Sequence, residues 1–158
     1  MKYIQVAKFV ERYGGSKVEP FDVRFMELKH IEESLLNCIC GYQEYYQDYV
    51  SSQINYFLIN IPKWSVLTSA KQKACLLHEI GHCITNPDNK LSGQNEMLAH
   101  KWAIELAYRR RFTAISRELL AFVERWHYNK GDSLDPHKVA AGIMISDKKW
   151  AKKYGLIV

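Results

Sequence analysis

The pattern of apolar residues changes at Pro62, and this change constrains the fold more than any other feature of the sequence. Before Pro62, a helical pattern over 3–13 ends at Gly14-Gly15. Three later stretches have the alternation, or the Ile, Tyr and Phe content, of β-strands: 21–28, 36–46 and 53–61. The last two are expected to pair as a hairpin.

After Pro62 the sequence predicts only helices. Thr68 or Ser69 can cap a helix that runs to about residue 84. Further helix signals follow at Ser92 before 93–111, over 113–126, at Asp135-Pro136, and at Ser146 before a short last helix that ends at Gly155. One helix, a few strands and then helices alone predict an α+β fold, with a small sheet of about three strands packed on a helical body.

The length of 158 residues predicts one domain, 1–158. It would comprise a sheet-containing part (about 20–61), central helices (about 68–111) and C-terminal helices (about 113–156). No apolar run approaches the roughly 18–20 residues of a membrane helix, and charged residues interrupt the N-terminus, so a cytoplasmic protein is expected. A net charge of +5 with scattered basic residues makes direct nucleic-acid binding an unfavoured interpretation.

The run HEIGH, residues 78–82, lies within the central helix. His78 and His82 are one turn apart on one face, so both imidazoles can reach one metal ion. Glu79 is offset by one residue and can reach a metal-bound water, which suits a general base. The opposite face is apolar, and Gly81 permits a close approach of a neighbouring element.

A catalytic zinc needs a third protein ligand, and Asp88, Glu96 and His100 are the downstream candidates. Asp88 is too close in sequence to the helix that carries HEIGH, because it lies in the turn that leaves that helix. Glu96 shares a helix face with His100 and two alanines, whose small size allows close helix packing. Glu96 is therefore the favoured ligand, and His100 is either a supporting residue behind a ligand or the ligand itself.

These segments resemble the ImmA/IrrE family of zinc metallopeptidases. INYFLINI, HEIGH and EMLAHKWA match the family's strand, its H-E-[LI]-G-H helix and its E-x-x-A helix in order and spacing. His100 stands where Asn, Asp or Ser is usual, and Trp102 replaces Phe. The resemblance covers about 36–158 and is specific over 54–103.

The resemblance implies a minimal, gluzincin-like zincin fold with one Zn²⁺ held by His78, His82 and Glu96, and Glu79 as the base. It also implies a bacterial, phage or mobile-element peptidase that cleaves a helix-turn-helix repressor. Substrate backbone is expected to add to an exposed edge of the strand at 54–60, whose candidate contacts are Asn55, Phe57 and Ile59. His100, His127, His137 and several tyrosines remain open as donors to the oxyanion.

Two other functions compete with proteolysis. A regulatory protein could dock on a partner without cutting it, although the base Glu79 would then have no purpose. A nucleic-acid-directed or toxin-like role through the basic tail ranks last. Cys75, one turn before His78, is expected to be a packed thiol, with a redox sensor or a fourth, inhibitory ligand as alternatives.

Overall fold

The computed structural model describes residues 1–27, 38–43, 54–85 and 92–156. Over these ranges it has three strands: β1 Phe21–Met26, β2 Cys38–Gln43 and β3 Asn55–Asn60. The helices are α1 Tyr3–Gly14, α2 Ile61–Trp64, α3 Ser69–Thr85, α4 Gly93–Arg109, α5 Thr113–Tyr128, α6 Pro136–Ser146 and α7 Lys148–Tyr154. The protein is mostly helical with one small sheet, which confirms the α+β class. The sequence missed the short helix α2 and a single 3-10 turn at Gly15–Lys17.

The sheet has the order β1-β3-β2, with β3 at its centre. β1 pairs with β3 in parallel, and β2 pairs with β3 antiparallel, as the expected hairpin requires. The prediction of an exposed β3 edge for substrate is therefore wrong, because both edges of β3 already form backbone hydrogen bonds. Within the described part of the chain, the outer edges of β1 and β2 are the ones left open.

Side-chain caps fix the starts of the helices that carry the polar site. Thr68 Oγ1 accepts from the Lys71 N–H (3.2 Å) at the start of α3. Ser92 Oγ accepts from the Asn95 N–H (3.1 Å) at the start of α4. Each bond satisfies one of the backbone donors that a helix N-terminus leaves without a partner. Both caps agree with the sequence prediction.

The cap of the last helix differs from the prediction. Ser146 is the last residue of α6, and its Oγ donates to the Ile143 carbonyl (2.7 Å). The cap is Asp147, whose carboxylate accepts from the Trp150 N–H (3.1 Å). Asp is as good a cap as Ser, so the sequence could not separate two adjacent capping residues. Gly155 ends the helix with φ +81°, as expected.

The core forms around α3, which contacts α1, α4, α5 and β2. Its fully buried apolar side chains are Ala74, Leu76, Leu77 and Ile80. The same helix buries a row of polar side chains, at Gln72, His78, Glu79 and His82. Burying polar groups is costly unless they have partners, so this row indicates a built site rather than a solvated face. None of the described helices has the length and apolar character that a membrane span needs.

Close packing of α3 on α4 occurs at Gly81. A Cβ on Gly81 would lie 2.5 Å from the carbonyl oxygen of Ala99, a separation that real Cβ atoms do not show. Ala99 and Ala103 are both fully buried at this contact. The expectation of a close approach at Gly81 and at the alanines is confirmed. This contact sets the distance between the polar faces of the two helices.

Candidate metal centre

Three side chains from α3 and α4 converge on one point. His78 Nε2 lies 3.0 Å from Glu96 Oε2, and His82 Nε2 lies 3.2 Å from the same oxygen. The two imidazole nitrogens are 3.1 Å apart. Ligand atoms around a tetrahedral zinc with bonds of 2.0–2.1 Å are separated by roughly 3.3 Å, so this triangle is close to one face of such a site. All three residues are at most 8% exposed.

A chain of hydrogen bonds behind His78 fixes which of its nitrogens carries the proton. His100 Nε2 lies 2.7 Å from the carbonyl oxygen of Leu119, which can only accept, so His100 Nε2 donates. Complete burial, with the charge of His78 as a lesser cause, lowers the pKa of His100 well below its usual value. His100 is therefore neutral, and its Nδ1 is an acceptor.

His100 Nδ1 lies 2.9 Å from His78 Nδ1, so the His78 Nδ1–H must donate to it. Burial lowers the pKa of His78 to about 4, although the nearby Glu96 carboxylate opposes this shift. His78 is thus neutral near pH 7, and its second nitrogen, Nε2, carries no hydrogen. That lone pair points at the oxygen of Glu96.

A nitrogen lone pair and a carboxylate oxygen repel each other at 3.0 Å unless a cation lies between them. The arrangement therefore fits a metal ion: two imidazoles, one carboxylate, and a partner that orients a ligand through its other ring nitrogen. His82 differs from His78 in its second ring nitrogen, because His82 Nδ1 is buried and has no hydrogen-bond partner among the described residues. Its Nε2 is the nitrogen directed at the other two ligands.

The charges of the site favour an ionised carboxylate. Burial alone would raise the pKa of Glu96, but the neighbouring imidazoles of His137, His78 and His82 outweigh it and hold that pKa well below the usual range. Burial lowers the pKa of His82, but Glu96 and the nearby charge of Glu79 outweigh burial and raise it. A divalent cation would satisfy the same negative groups that now favour protonated histidines.

Glu79 is 5% exposed and belongs to the same turn as His78. Its charge acts on His82, so its carboxylate lies near the proposed ligands. The side chain leaves the helix one residue beyond His78, which places it beside the triangle rather than at one of its corners. This is the position from which a carboxylate can act on a water at the ion.

The structure adds His137, on α6, to the same point. His137 Nε2 lies 3.2 Å from Glu96 Oε2. His78, Glu96 and His137 form a group that could hold a metal ion, with one ligand atom from each within 4.8 Å of the others. The sequence offered His137 only as one of several oxyanion donors. Nothing in its spacing from HEIGH could single it out, because packing of α6 on α4 alone brings it here.

The remaining sequence candidates lie elsewhere. Phe57 and Ile59 are fully buried in the core and Asn55 donates from Nδ2 to the Val18 carbonyl (2.8 Å), so none offers an open strand to a substrate. His127 contacts the ring of Tyr128 at the end of α5. Asp88 lies outside the described residues.

The two cysteines of α3 are part of its packing. Cys75 is half-buried against the hydrophobic core, and Cys83, 7% exposed, lies within that core. These positions agree with the interpretation of packed thiols.

Comparison of the chain with models of protein families, with curated proteins and with solved structures gave no match. The resemblance to the ImmA/IrrE family therefore rests on the sequence motifs. The geometry of the site is an independent observation.

Proposed function

We propose that this chain is a zinc-dependent endopeptidase of narrow specificity, with a zincin-like fold of the ImmA/IrrE kind. One observation carries the proposal: the unprotonated Nε2 of His78 faces His82 Nε2 and Glu96 Oε2 at 3.1 and 3.0 Å. Two histidines and one carboxylate form a known ligand set of catalytic zinc. The single Zn²⁺ would be held by His78, His82 and Glu96.

The side chains would divide the chemistry as follows. Zinc at this site would supply a Lewis acid that polarises a peptide carbonyl and lowers the pKa of water. The Glu79 carboxylate takes a proton from the attacking water and delivers it to the nitrogen of the departing amine. His100 holds the ring of His78 through Nδ1, and Leu119 holds His100 in turn. The burial of these groups strengthens every charge interaction among them.

The resemblance supplies the substrate class. We expect a protein partner, a helix-turn-helix transcriptional repressor of a phage, mobile element or stress regulon, cleaved in the cytoplasm. Backbone pairing with the substrate would use an outer strand of the sheet, because β3 is paired on both sides. β2 is the outer strand that contacts α3.

Metal analysis beside a Glu79→Gln variant tests the proposal. The unaltered protein should bind about one equivalent of zinc. Glu79→Gln should keep that zinc and lose cleavage of the repressor by roughly 10²–10⁴-fold, the usual contribution of a general base. Glu124→Gln, on an exposed residue of α5, is the matched control and should change neither property. Absence of zinc from the purified protein would contradict the proposal.

A docking protein on the same scaffold would give a different result. It would retain biological activity in Glu79→Gln, because partner binding does not need a proton acceptor. The third ligand is tested separately: Glu96→Gln should weaken zinc retention more than His100→Ala does. The opposite order would make His100 the ligand and Glu96 its support.

A further inference from the structure

His137 occupies a position that the proposed three-ligand site does not use. Its Nε2 is as close to Glu96 Oε2 (3.2 Å) as His82 Nε2 is. Its ring centroid lies 6.3 Å from that of His78, and its ligand nitrogen lies within 4.8 Å of the ligand atoms of His78 and Glu96. The His137 nitrogen therefore faces the same carboxylate oxygen as both other histidines do.

Several contacts hold His137 in this position. Asp135 Oδ1, which accepts from the His137 backbone N–H (2.8 Å), also lies 3.6 Å from His137 Nδ1. At 3.6 Å the carboxylate attracts this side of the ring as an ion pair and does not form a hydrogen bond, and the other ring nitrogen faces Glu96. The ring of Trp126 packs on the His137 ring with centroids 4.7 Å apart. Lys138 Nζ donates to the Asn129 carbonyl (2.6 Å), which ties the start of α6 to the end of α5.

The start of α6 is also packed closely on the helix that carries Glu96. A Cβ on Gly93, the first residue of α4, would lie 2.4 Å from Val139 Cγ1. Glycine at this position therefore lets the first turns of the two helices meet. His137 and Glu96 are each within those first turns, so their contact follows from this packing.

We infer that His137 is a fourth protein ligand of the ion, so that the folded chain holds zinc in a closed site of three histidines and one glutamate. This inference rests on the proposed function. A catalytic zinc keeps one position for water, whereas a zinc with four protein ligands is coordinatively closed. The closed form is thus inactive as a peptidase. The first turn of α6 has to move away before a peptide carbonyl can reach the ion.

The test compares the unaltered protein with His137→Ala and His137→Gln, and uses His127→Ala as the control. His127 is a half-buried histidine on α5 away from the ligands. Zinc affinity should fall at least about tenfold in both His137 variants, since even the loss of a supporting partner costs 10–100-fold. X-ray absorption should count three imidazoles in the unaltered protein and two in the variants.

A second measurement reports whether the site is open. Acetohydroxamate binds zinc only where a coordination position is available. Its affinity for the zinc-loaded protein should rise at least about tenfold in His137→Ala, and His127→Ala should leave it unchanged. Tighter binding of this probe cannot come from general damage to the fold, which would weaken it.

The outcomes separate this inference from the proposed function. One equivalent of zinc with two imidazoles in the unaltered protein would overturn the fourth ligand and leave the peptidase proposal intact. Equal acetohydroxamate affinity in the unaltered protein and His137→Ala would overturn the closed site. No zinc binding at all would overturn both. If a His137 variant fails to fold, the number of imidazoles bound to zinc in the unaltered protein still tests whether His137 is the fourth ligand.

Discussion

Two helix contacts build the candidate metal centre, and they differ in what a glycine faces. Where α3 meets α4, Gly81 faces the backbone of Ala99, with a virtual Cβ 2.5 Å from the carbonyl oxygen. Where α4 meets α6, Gly93 faces the side chain of Val139. A backbone can give way only if a whole helix shifts, whereas a side chain can be exchanged for a smaller one. The first contact is therefore the stricter one.

The difference corresponds to the candidate ligands that each contact supplies. The strict contact carries His78, His82 and Glu96, all on two helices that are neighbours in sequence. The other contact brings His137 from α6. The strict contact, between α3 and α4, thus brings three candidate ligands together. The adjustable contact, between α4 and α6, supplies His137, the residue that we infer to complete the closed site. The following predictions test this division, from the largest effect to the smallest.

The largest loss of stability is expected for His100→Ala, because His100 lies on α4 against His78 at the strict contact. His100 is fully buried, so the change leaves a cavity and removes the partners of His78 Nδ1 and the Leu119 carbonyl. The free energy of unfolding should fall by about 3–5 kcal/mol, in the range of large-to-small core changes. Urea denaturation of the metal-free protein measures it.

His127→Ala is the control for this histidine change and should cost at most about 0.5 kcal/mol. Similar losses in both variants would show that His100 has no special structural role.

The next effect is expected for Gly81→Ala. The added methyl group meets backbone, so overpacking should lower the free energy of unfolding by about 1–3 kcal/mol. Zinc affinity should fall with it, because α3 and α4 separate. Thermal or urea unfolding and zinc titration on the same sample measure both.

Gly142→Ala is a matched control on α6, since nothing lies within 4 Å of its virtual Cβ. There the same substitution should stabilise by about 0.5–1 kcal/mol, because alanine has the better helix propensity. A stabilising Gly81→Ala would contradict the strict contact.

A smaller effect is expected for Gly93→Ala at the adjustable contact. The clash is with the Val139 side chain, so the loss should be about 1 kcal/mol, at the low end of overpacking. Val139→Ala added to Gly93→Ala should recover part of that loss, because it removes Val139 Cγ1, the closest atom at 2.4 Å, and leaves Val139 Cβ at 2.6 Å. A double-mutant cycle on unfolding free energies measures this coupling. Additive losses would argue against this contact as the cause.

The smallest effect is on the pH dependence of the metal-free protein. The pKa of His78, at about 4, and that of His100 lie below their unfolded values, so their contribution is present above about pH 6.5 and is lost as the pH falls toward 4. The pKa values of His82 and His137 are raised, so their contribution is complete below about pH 6.5 and is lost above it. Stability should therefore be greatest near pH 6.5.

His137→Ala separates the two contacts in this experiment. The substitution should make the loss of stability above pH 6.5 shallower. It should not change the loss of stability below pH 6.5, which comes from His78 and His100. The urea concentration at the midpoint of unfolding, measured between pH 5 and pH 9, reports the loss of stability on both sides of pH 6.5. If the loss of stability above pH 6.5 is unchanged in His137→Ala, His137 does not interact with Glu96 in the folded protein.

Local rules in the sequence predicted much of the fold. Caps at Thr68, Ser92 and Asp135 placed three helix starts correctly, because a capping side chain acts on backbone groups only two or three residues away. The alternation of 21–28 and the Ile, Tyr and Phe content of 36–46 and 53–61 predicted the three described strands. The order of those strands was not predicted, since the side-chain pattern does not state which strand is central. This is why the substrate edge was assigned to β3.

For the site, the sequence by itself determined the two histidines on one helix face, the glutamate beside them and Glu96 on the next helix, because helical periodicity fixes which side chains share a face. Only the tertiary structure decided the proton positions of the His78–His100 pair, through the Leu119 carbonyl. It alone also placed His137 against Glu96. Both depend on contacts between helices far apart in sequence, and no local pattern records such contacts.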